Sequence, residues 1–259
     1  MPDDYAVRTD DGLVATVTLA RPDRLNAYTG HDIVQFRSVL RAVAADGRVR
    51  ALVLTGAGRA FCAGGDLQAM AAGTSGGDEP LPPMRELVEV VELLHGMPKV
   101  TIAAVNGACA GAGFSLAAAC DLRVAAPGAV FTTAFARVGQ SGDYGGAWFL
   151  PRLVGAAKAA ELLLLSDRFD ATTAERIGFA NEVADDALAR ALELAGRVAG
   201  LAPLTVAAIK ANMHDAAGAE LSPYLDRECD RFLQVLGTKD AMEAVRAFVE
   251  KREPNYEGR

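Results

Sequence analysis

This chain has few histidines, no closely spaced cysteine pair and no excess of basic charge, and each of these features argues against a class of protein. The three histidines (His31, His95 and His214) are too scattered to indicate a zinc site, and we predict no metal. The four cysteines form no C-x-x-C pair, which favours reduced thiols in a cytoplasmic protein. A net charge of −7 argues against nucleic acid or an anionic membrane as the main partner.

A signal peptide and a membrane span are also not expected. The chain opens with an acidic stretch that has no apolar core. The uncharged segment Val100–Cys120 has the length of a span, about 20 residues. Asn106, Gly107 and Gly111 interrupt it, however, and alanine dominates over leucine and isoleucine. A strand, a tight loop and a buried helix explain this segment better.

The residues that are present are sufficient for a large core, because 51% of the 259 residues are hydrophobic. Strand, loop and helix patterns alternate and predict an α/β layered fold whose loops converge at one edge of the strands. The chain becomes mostly helical from Gly145 onward. We predict a catalytic core over 1–200, a helical module over 201–259, and a mobile loop over Ala72–Pro83 that shapes the substrate pocket. No internal sequence repeat is evident.

Individual elements can be predicted from local patterns. These are a hairpin over Tyr5–Leu19, a helix after Thr29 with Asp32 completing its cap, strands over Val49–Thr55, Val100–Val105 and Leu122–Ala125, and helices over Met84–His95 and Gly111–Ala119.

Two glycine-rich turns stand out, Phe61–Leu67 and Asn106–Gly113, and each follows a predicted strand and precedes a helix. Small residues let a ligand approach the main chain, and free amides at a helix start carry a partial positive charge. Either turn alone is more often a packing solution. Two such turns brought together would form an oxyanion hole.

Two other interpretations of these motifs fail. A dinucleotide fingerprint would need a third glycine where Leu116 stands. A serine hydrolase would need G-x-S-x-G, but the segment around Ser141 lacks the final glycine, and no Ser/His pair of a protease can be assembled.

The two turns, together with Arg21-Pro22, Asn26-Ala27 and the segment Ala247–Arg252, resemble the crotonase (enoyl-CoA hydratase/isomerase) superfamily over about Val14–Lys251. The resemblance implies a spiral of ββα units with a C-terminal helical trimerisation module. It implies an acyl-CoA substrate, no cofactor other than the CoA that is part of the substrate, and a homotrimer or hexamer.

The same resemblance implies roles for individual residues. The amides of Gly65 and Ala112 would hold the thioester oxygen, with Ala112 in place of the usual glycine. Arg24, Leu25, Ala27 and Ala63 would bind CoA, and Phe248 and Lys251 would reach CoA from a neighbouring subunit. For these last two, a core contact and a solvated charge are equally good interpretations. Asp66 and Asp121 match acidic positions that are expected to brace the backbone.

The sequence departs from the hydratase pattern at the two positions where that pattern has catalytic glutamates. Ser115 and Phe135 stand there. A phenyl ring cannot accept or donate a proton, and a serine hydroxyl is a poor base without a partner. We expect both, with Trp148, to line the acyl pocket. Asp143, before Gly145-Gly146, resembles the catalytic aspartate of ring-epoxide and enoyl-CoA isomerases and of the aryl-CoA dehalogenase branch. Alternatively, Asp143 caps the helix that follows.

The leading hypothesis is double-bond isomerisation of an unsaturated acyl-CoA with Asp143 as the single acid/base. The apolar wall would raise the pKa of this carboxyl group toward neutrality. A hydratase using Asp143 alone and attack by Asp143 on an aryl-CoA remain open. So does a non-catalytic acyl-CoA-binding protein. An RNA-binding role is disfavoured because no basic stripe is present.

Overall fold

The computed structural model describes residues 4–73 and 80–259. The chain opens with a hairpin of β1 (Ala6–Asp11) and β2 (Val14–Leu19), as predicted. Helix α1 (Gly30–Ala45) follows, and the side chains of Thr29 and Asp32 form a capping box at its start. Its buried face includes Ile33, Phe36 and Leu40, which recur at helical spacing.

Three successive stretches of chain then repeat one pattern: a strand in a larger sheet, a short strand in a smaller sheet, and a helix. The first comprises β3 (Ala51–Gly56), β4 (Ala60–Cys62) and α2 (Leu67–Ala71). Helices α3 (Met84–Leu87) and α4 (Glu89–Gly96) precede the second, which comprises β5 (Val100–Val105), β6 (Ala108–Ala110) and α5 (Ala112–Ala119). The third comprises β7 (Leu122–Ala125), β8 (Val130–Thr132), a 3-10 turn (Phe135–Val138) and α6 (Gly146–Val154).

The remainder of the chain is mainly helical, and its elements follow in this order: α7 (Ala156–Leu165), β9 (Phe169–Asp170), α8 (Ala171–Arg176), β10 (Glu182–Val183), α9 (Ala187–Ala199), α10 (Pro203–Ala216), α11 (Leu221–Leu236) and α12 (Lys239–Glu250).

The two sheets explain why the glycine-rich turns come together. The larger sheet has the order β1-β2-β3-β5-β7-β10, and all neighbours except β1 and β2 are parallel. The smaller sheet has the order β4-β6-β8-β9, with β4 and β6 parallel. Because parallel neighbours end at the same sheet edge, the turns that follow β4 and β6 emerge side by side.

The core lies on both faces of the larger sheet. On one face, α1, α4 and α5 pack over residues that include Leu52, Leu54 and Phe61. On the other, Ala187, Ala191 and Ala195 of α9 lie against β3, β5 and β7. Because these side chains are small, α9 can pack closely against the sheet and cover this face of it.

The α/β spiral with a C-terminal helical module is therefore confirmed, with one difference in detail. The helix predicted over Met84–His95 is divided into α3 and α4 at Val88. The predicted loop Ala72–Pro83 includes 74–79, which lie outside the described residues. The division near Gly200 stays a prediction. Contacts cross it, since Lys210 Nζ donates to Asp121 Oδ2 at 2.7 Å and to Lys99 O at 2.9 Å.

Within the described residues, no single helix has both the length and the hydropathy required to cross a membrane. Only α9 and α10 taken together pass, across a 108° bend. The uncharged segment Val100–Cys120 forms β5, β6 and α5, as expected.

Candidate active site

The first turn presents the amide of Gly65 because Tyr28 binds the residues on either side of it. Tyr28 N–H donates to Gly64 O at 3.0 Å, and Tyr28 O accepts from Asp66 N at 2.9 Å. Tyr28 and Gly65 form a parallel β-bridge, and among the described residues no group accepts a hydrogen bond from Gly65 N–H. The side chain of Asp66 caps α2 by accepting from the amides of Gln68 and Ala69, and so braces the turn as predicted.

The second turn presents the amide of Ala112 at the first position of α5. An amide there has no acceptor within its own helix, so it remains available to a ligand. Gly111, which precedes it, has φ +54° and ψ −127°, a conformation that favours glycine. The substitution of the usual glycine by Ala112 leaves this N–H in place.

The two turns touch each other. A methyl group added at Gly64 would lie 3.2 Å from Ala112 N, and one added at Gly113 would lie 2.2 Å from Cys62 O. Side chains at these positions would push the turns apart. The free amides of Gly65 and Ala112 consequently lie on the wall of one cleft. Two convergent donors of this kind stabilise negative charge on an oxygen atom.

This cleft has a volume of about 350 Å³ and a mainly apolar wall. The residues that line it are Tyr28, Thr29, Gly30, Ala63, Gly65, Leu67, Met70, Met84, Leu87, Gly111, Ala112, Ala134, Phe135, Val138, Gln140, Asp143 and Tyr144. Asp143 is the one carboxylate on the part of the cleft wall that the structure describes.

The surroundings of Asp143 favour the protonated form of its carboxyl group. Burial raises its pKa from 3.8 to about 6, and Oδ1 is buried without a hydrogen-bond partner in the described chain. A carboxyl group with this pKa is poised to exchange protons close to neutral pH. The interpretation of Asp143 as the cap of α6 is wrong, because Gly145 is the N-cap and no side chain bonds there.

Ser115 and Phe135 hold the Asp143 loop in place. Ser115 is fully buried on α5, and its hydroxyl donates to Asp143 O at 3.1 Å. The Phe135 ring lies within van der Waals distance of where methyl groups at Gly111, Gly142 and Gly146 would be. Phe135 lines the cleft as predicted, whereas Ser115 lies behind the wall and is not part of the pocket surface.

The prediction that Trp148 lines the acyl pocket is wrong. Trp148 lies on α6, two residues after its start at Gly146, and it is not among the residues that line the cleft. Trp148 is 46% exposed, stacks beneath the Arg152 guanidinium at 3.9 Å, and contacts His95 edge to face.

The residues expected to bind CoA lie in two places, one group near the first turn and the other at the end of α12. Ala63 lines the cleft, and its N–H donates to Leu25 O at 3.0 Å. Arg24 is partly exposed and donates to Gln68 Oε1, while Ala27 is buried beside it. These four residues therefore lie around the first turn.

Phe248 and Lys251 lie at the end of α12 and do not line the cleft of this chain. Phe248 is 86% exposed, so the interpretation of this side chain as a core contact is wrong. Lys251 is exposed in a left-handed conformation that ends the helix.

Comparison with known proteins identifies the architecture. The sequence model of the enoyl-CoA hydratase/isomerase family matches residues 9–259. The chain belongs to this family. The crotonase superfamily is thus confirmed, and with it an enzyme of the hydratase/isomerase type.

Relatives in this family have two kinds of names. The chain is 38% identical over 253 residues to a 1,2-epoxyphenylacetyl-CoA isomerase of Escherichia coli (strain K12), covering 95% of each. It is 42% identical over 207 residues to a probable enoyl-CoA hydratase of Mycobacterium tuberculosis, covering 80% of each. A solved enoyl-CoA hydratase structure from Polaromonas sp. JS666 superposes with a TM-score of 0.89 at 37% identity, covering 97% of this chain and 99% of that one.

Sequence reasoning missed two aromatic residues of the cleft. Tyr28 follows Asn26-Ala27 directly, and Tyr144 follows Asp143; their rings meet edge to face with centroids 5.8 Å apart. Their positions beside motif residues were the only signal in the sequence. Their contact was not predictable, because it joins segments more than a hundred residues apart.

Proposed function

We propose that this crotonase isomerises the double bond of an unsaturated acyl-CoA thioester, with Asp143 as its single acid and base. One observation carries the proposal: the only carboxyl group on the described cleft wall, with a pKa raised to about 6, shares that cleft with the free amides of Gly65 and Ala112. The two hydratase glutamate positions hold Ser115 and Phe135, which support the Asp143 loop and supply no carboxylate to activate water.

In this reaction, main-chain amides stabilise the negative charge and one side chain transfers the proton. The thioester oxygen accepts hydrogen bonds from Gly65 and Ala112, which stabilises the dienolate formed when a proton leaves C2 of a 3-enoyl thioester. Asp143 accepts that proton and returns it to C4, so that the double bond moves into conjugation at C2. The apolar wall around Phe135 limits access of water, which would otherwise lower the pKa of the carboxyl group.

In the same proposal, Arg24, Leu25, Ala27 and Ala63 hold the CoA portion, which is part of the substrate, and no separate cofactor takes part. Phe248 and Lys251 complete the site of a neighbouring subunit in a homotrimer or a hexamer. The exposed ring of Phe248 supports this, as do the exposed apolar side chains Leu221, Phe232 and Leu236 on α11. A large apolar surface of this kind is typical of a subunit interface.

Hydration of a 2-enoyl-CoA is the second candidate, supported by the names of relatives such as the probable hydratase of M. tuberculosis. It would require Asp143 alone to activate water, since no other carboxylate lines the described cleft. Two further hypotheses concern the same cleft. They are nucleophilic attack by Asp143 on an aryl-CoA, and acyl-CoA binding without catalysis.

The test uses 3-enoyl-CoA and 2-enoyl-CoA in parallel, with wild type and Asp143→Asn, and follows the absorbance of the conjugated thioester. We expect absorbance to rise with the 3-enoyl substrate, and the variant to lose about 10²–10⁴-fold in kcat while still binding CoA esters. A fall in absorbance with the 2-enoyl substrate would favour hydration. Binding without either signal would favour attack on an aryl-CoA or a binding protein.

A further inference from the structure

Tyr28 connects the two halves of the cleft. Its main chain binds both neighbours of Gly65, at 3.0 and 2.9 Å, and thereby fixes the amide turn. Its ring lines the cleft and packs against Tyr144, the residue that follows Asp143. The same residue thus contacts the oxyanion turn through its backbone and the acid/base loop through its side chain.

The Tyr28 hydroxyl is buried and has no hydrogen-bond partner among the described residues. Throughout the described ranges, one other buried side-chain polar atom is in the same condition, and it is Asp143 Oδ1. A phenol can donate and a carboxylate oxygen can accept, so the two unpartnered atoms are chemically complementary. Polar atoms that remain buried and unpaired are unfavourable, which favours their pairing in the working enzyme.

Tyr28 and Asp143 line the same cleft, and the Tyr28 ring packs against the residue that follows Asp143. Burial is the main cause of the raised pKa of Tyr28, and the neighbouring Tyr144 and Asp143 raise it further. The Tyr144 hydroxyl also interacts with the Tyr28 hydroxyl and raises its pKa, although no hydrogen bond of normal geometry joins the two groups.

The other ionisable groups around this pair are engaged elsewhere or buried as neutral groups. Cys62 has its pKa raised to about 11 by burial. Asp32 is paired with Arg21 at 2.5 Å, and Arg137 is paired with Asp167. Helix α5 contributes no ionisable side chain. Among the hydroxyl groups on this cleft wall, that of Tyr28 is the buried one without a hydrogen-bond partner in the described chain.

We propose that Tyr28 is a positioning residue for Asp143: its hydroxyl donates a hydrogen bond to Oδ1 of the ionised carboxylate and directs the other oxygen toward the acyl chain. The importance of this bond for turnover rests on the proposed function. The bond itself does not, and it can be measured in the free protein.

The experiment titrates the carboxyl carbon of Asp143 by ¹³C NMR in protein labelled at aspartate, with the resonance assigned by its absence in Asp143→Asn. Wild type is compared with Tyr28→Phe and with Tyr5→Phe as the matched control. Tyr5 is a buried tyrosine one ring further from the cleft, with its centroid 6.3 Å from that of Tyr28 and its hydroxyl bonded to Asn26 O.

We expect Tyr28→Phe to raise the proton affinity of Asp143 by about tenfold, because a donor to the charged form is lost. Tyr5→Phe should leave it unchanged. Site-specific 3-fluorotyrosine at position 28, a stronger donor, should lower it, and this variant keeps the test valid if Tyr28→Phe folds poorly. If wild type isomerises 3-enoyl-CoA, Tyr28→Phe should lower kcat with KM unchanged.

An Asp143 titration that is identical in wild type, Tyr28→Phe and the fluorotyrosine protein would overturn the inference, as would an equal shift in Tyr5→Phe. Failure of the proposed function is a separate result: wild type would show no isomerisation, while the Asp143 titration would still report on the hydrogen bond.

Discussion

The two sides of the cleft are built in different ways. On one side, the amides of Gly65 and Ala112 belong to turns that follow parallel strands, and the Tyr28 bridge and contacts between the turns hold them in place. On the other side, the Asp143 loop contains positive φ angles at Gly142, Tyr144 and Gly145, and Ser115 is tied to it by a single hydrogen bond.

This difference indicates which part of the site can change between members of the family that catalyse different reactions. The oxyanion side consists of main-chain groups that any sequence with the same strands and small residues provides. The acid/base side depends on which side chains stand at three positions, here Ser115, Phe135 and Asp143. Relatives named as hydratases and as an isomerase can thus share one fold.

The largest effect is expected from Gly113→Ala, which disrupts the oxyanion side of the cleft. The new methyl group would lie 2.2 Å from Cys62 O, so the two turns must separate. Since loss of an oxyanion donor costs about 10²–10³ in kcat, we expect a loss of at least that size, with a lower Tm. Gly128→Ala is the matched control, because nothing lies within 4 Å of its added methyl group. Equal activity of the two variants would refute the contact between the turns.

On the acid/base side, Asp143→Asn is expected to have a smaller effect on stability. Its sign is opposite to that of Gly113→Ala. The folded-state pKa of about 6 exceeds the ordinary 3.8, so ionisation of Asp143 destabilises the fold as pH rises through this range. The variant should be more stable than wild type at pH 8 by about 1–2 kcal/mol, after allowance for solvent screening, and nearly equal at pH 4. Denaturant unfolding at both pH values measures this, and a constant difference would contradict it.

The smallest effect is expected from Ser115→Ala, which removes the hydroxyl that bonds to Asp143 O. Loss of this hydrogen bond should cost about 0.5–1.5 kcal/mol of stability and lower kcat about tenfold by loosening the loop. Ser38→Ala on the exposed face of α1 provides the control, with stability and kcat unchanged. If Ser115→Ala kept full activity, the loop would not depend on α5.

Much of this fold was predictable because its signals are local. The Tyr5–Leu19 hairpin, the Thr29–Asp32 cap and the strand Val100–Val105 lie as predicted. The spiral of ββα units was expected from the family resemblance, whereas the local patterns showed only strand, loop and helix in alternation. The strands of the smaller sheet, such as Ala60–Cys62, have at most three residues, too few to show a periodic pattern.

The site was less predictable than the fold. Asp143, Gly65 and Ala112 stand in motifs, and the structure brings all three to one cleft. Trp148 was misplaced because one turn of α6 decides which way its side chain points. The contact of Tyr28 with Tyr144 is tertiary, and no sequence pattern links two such distant residues.

The pH dependence of kcat/KM for wild type on a 3-enoyl-CoA tests the central claim most directly. A single carboxylate base with a pKa of about 6 predicts a rate that falls tenfold for each pH unit below 6 and is level above it. The residual rate of Asp143→Asn should lack this dependence. A profile without an ionisation near 6, or the same profile in the variant, would contradict the assignment of Asp143 as the acid and base.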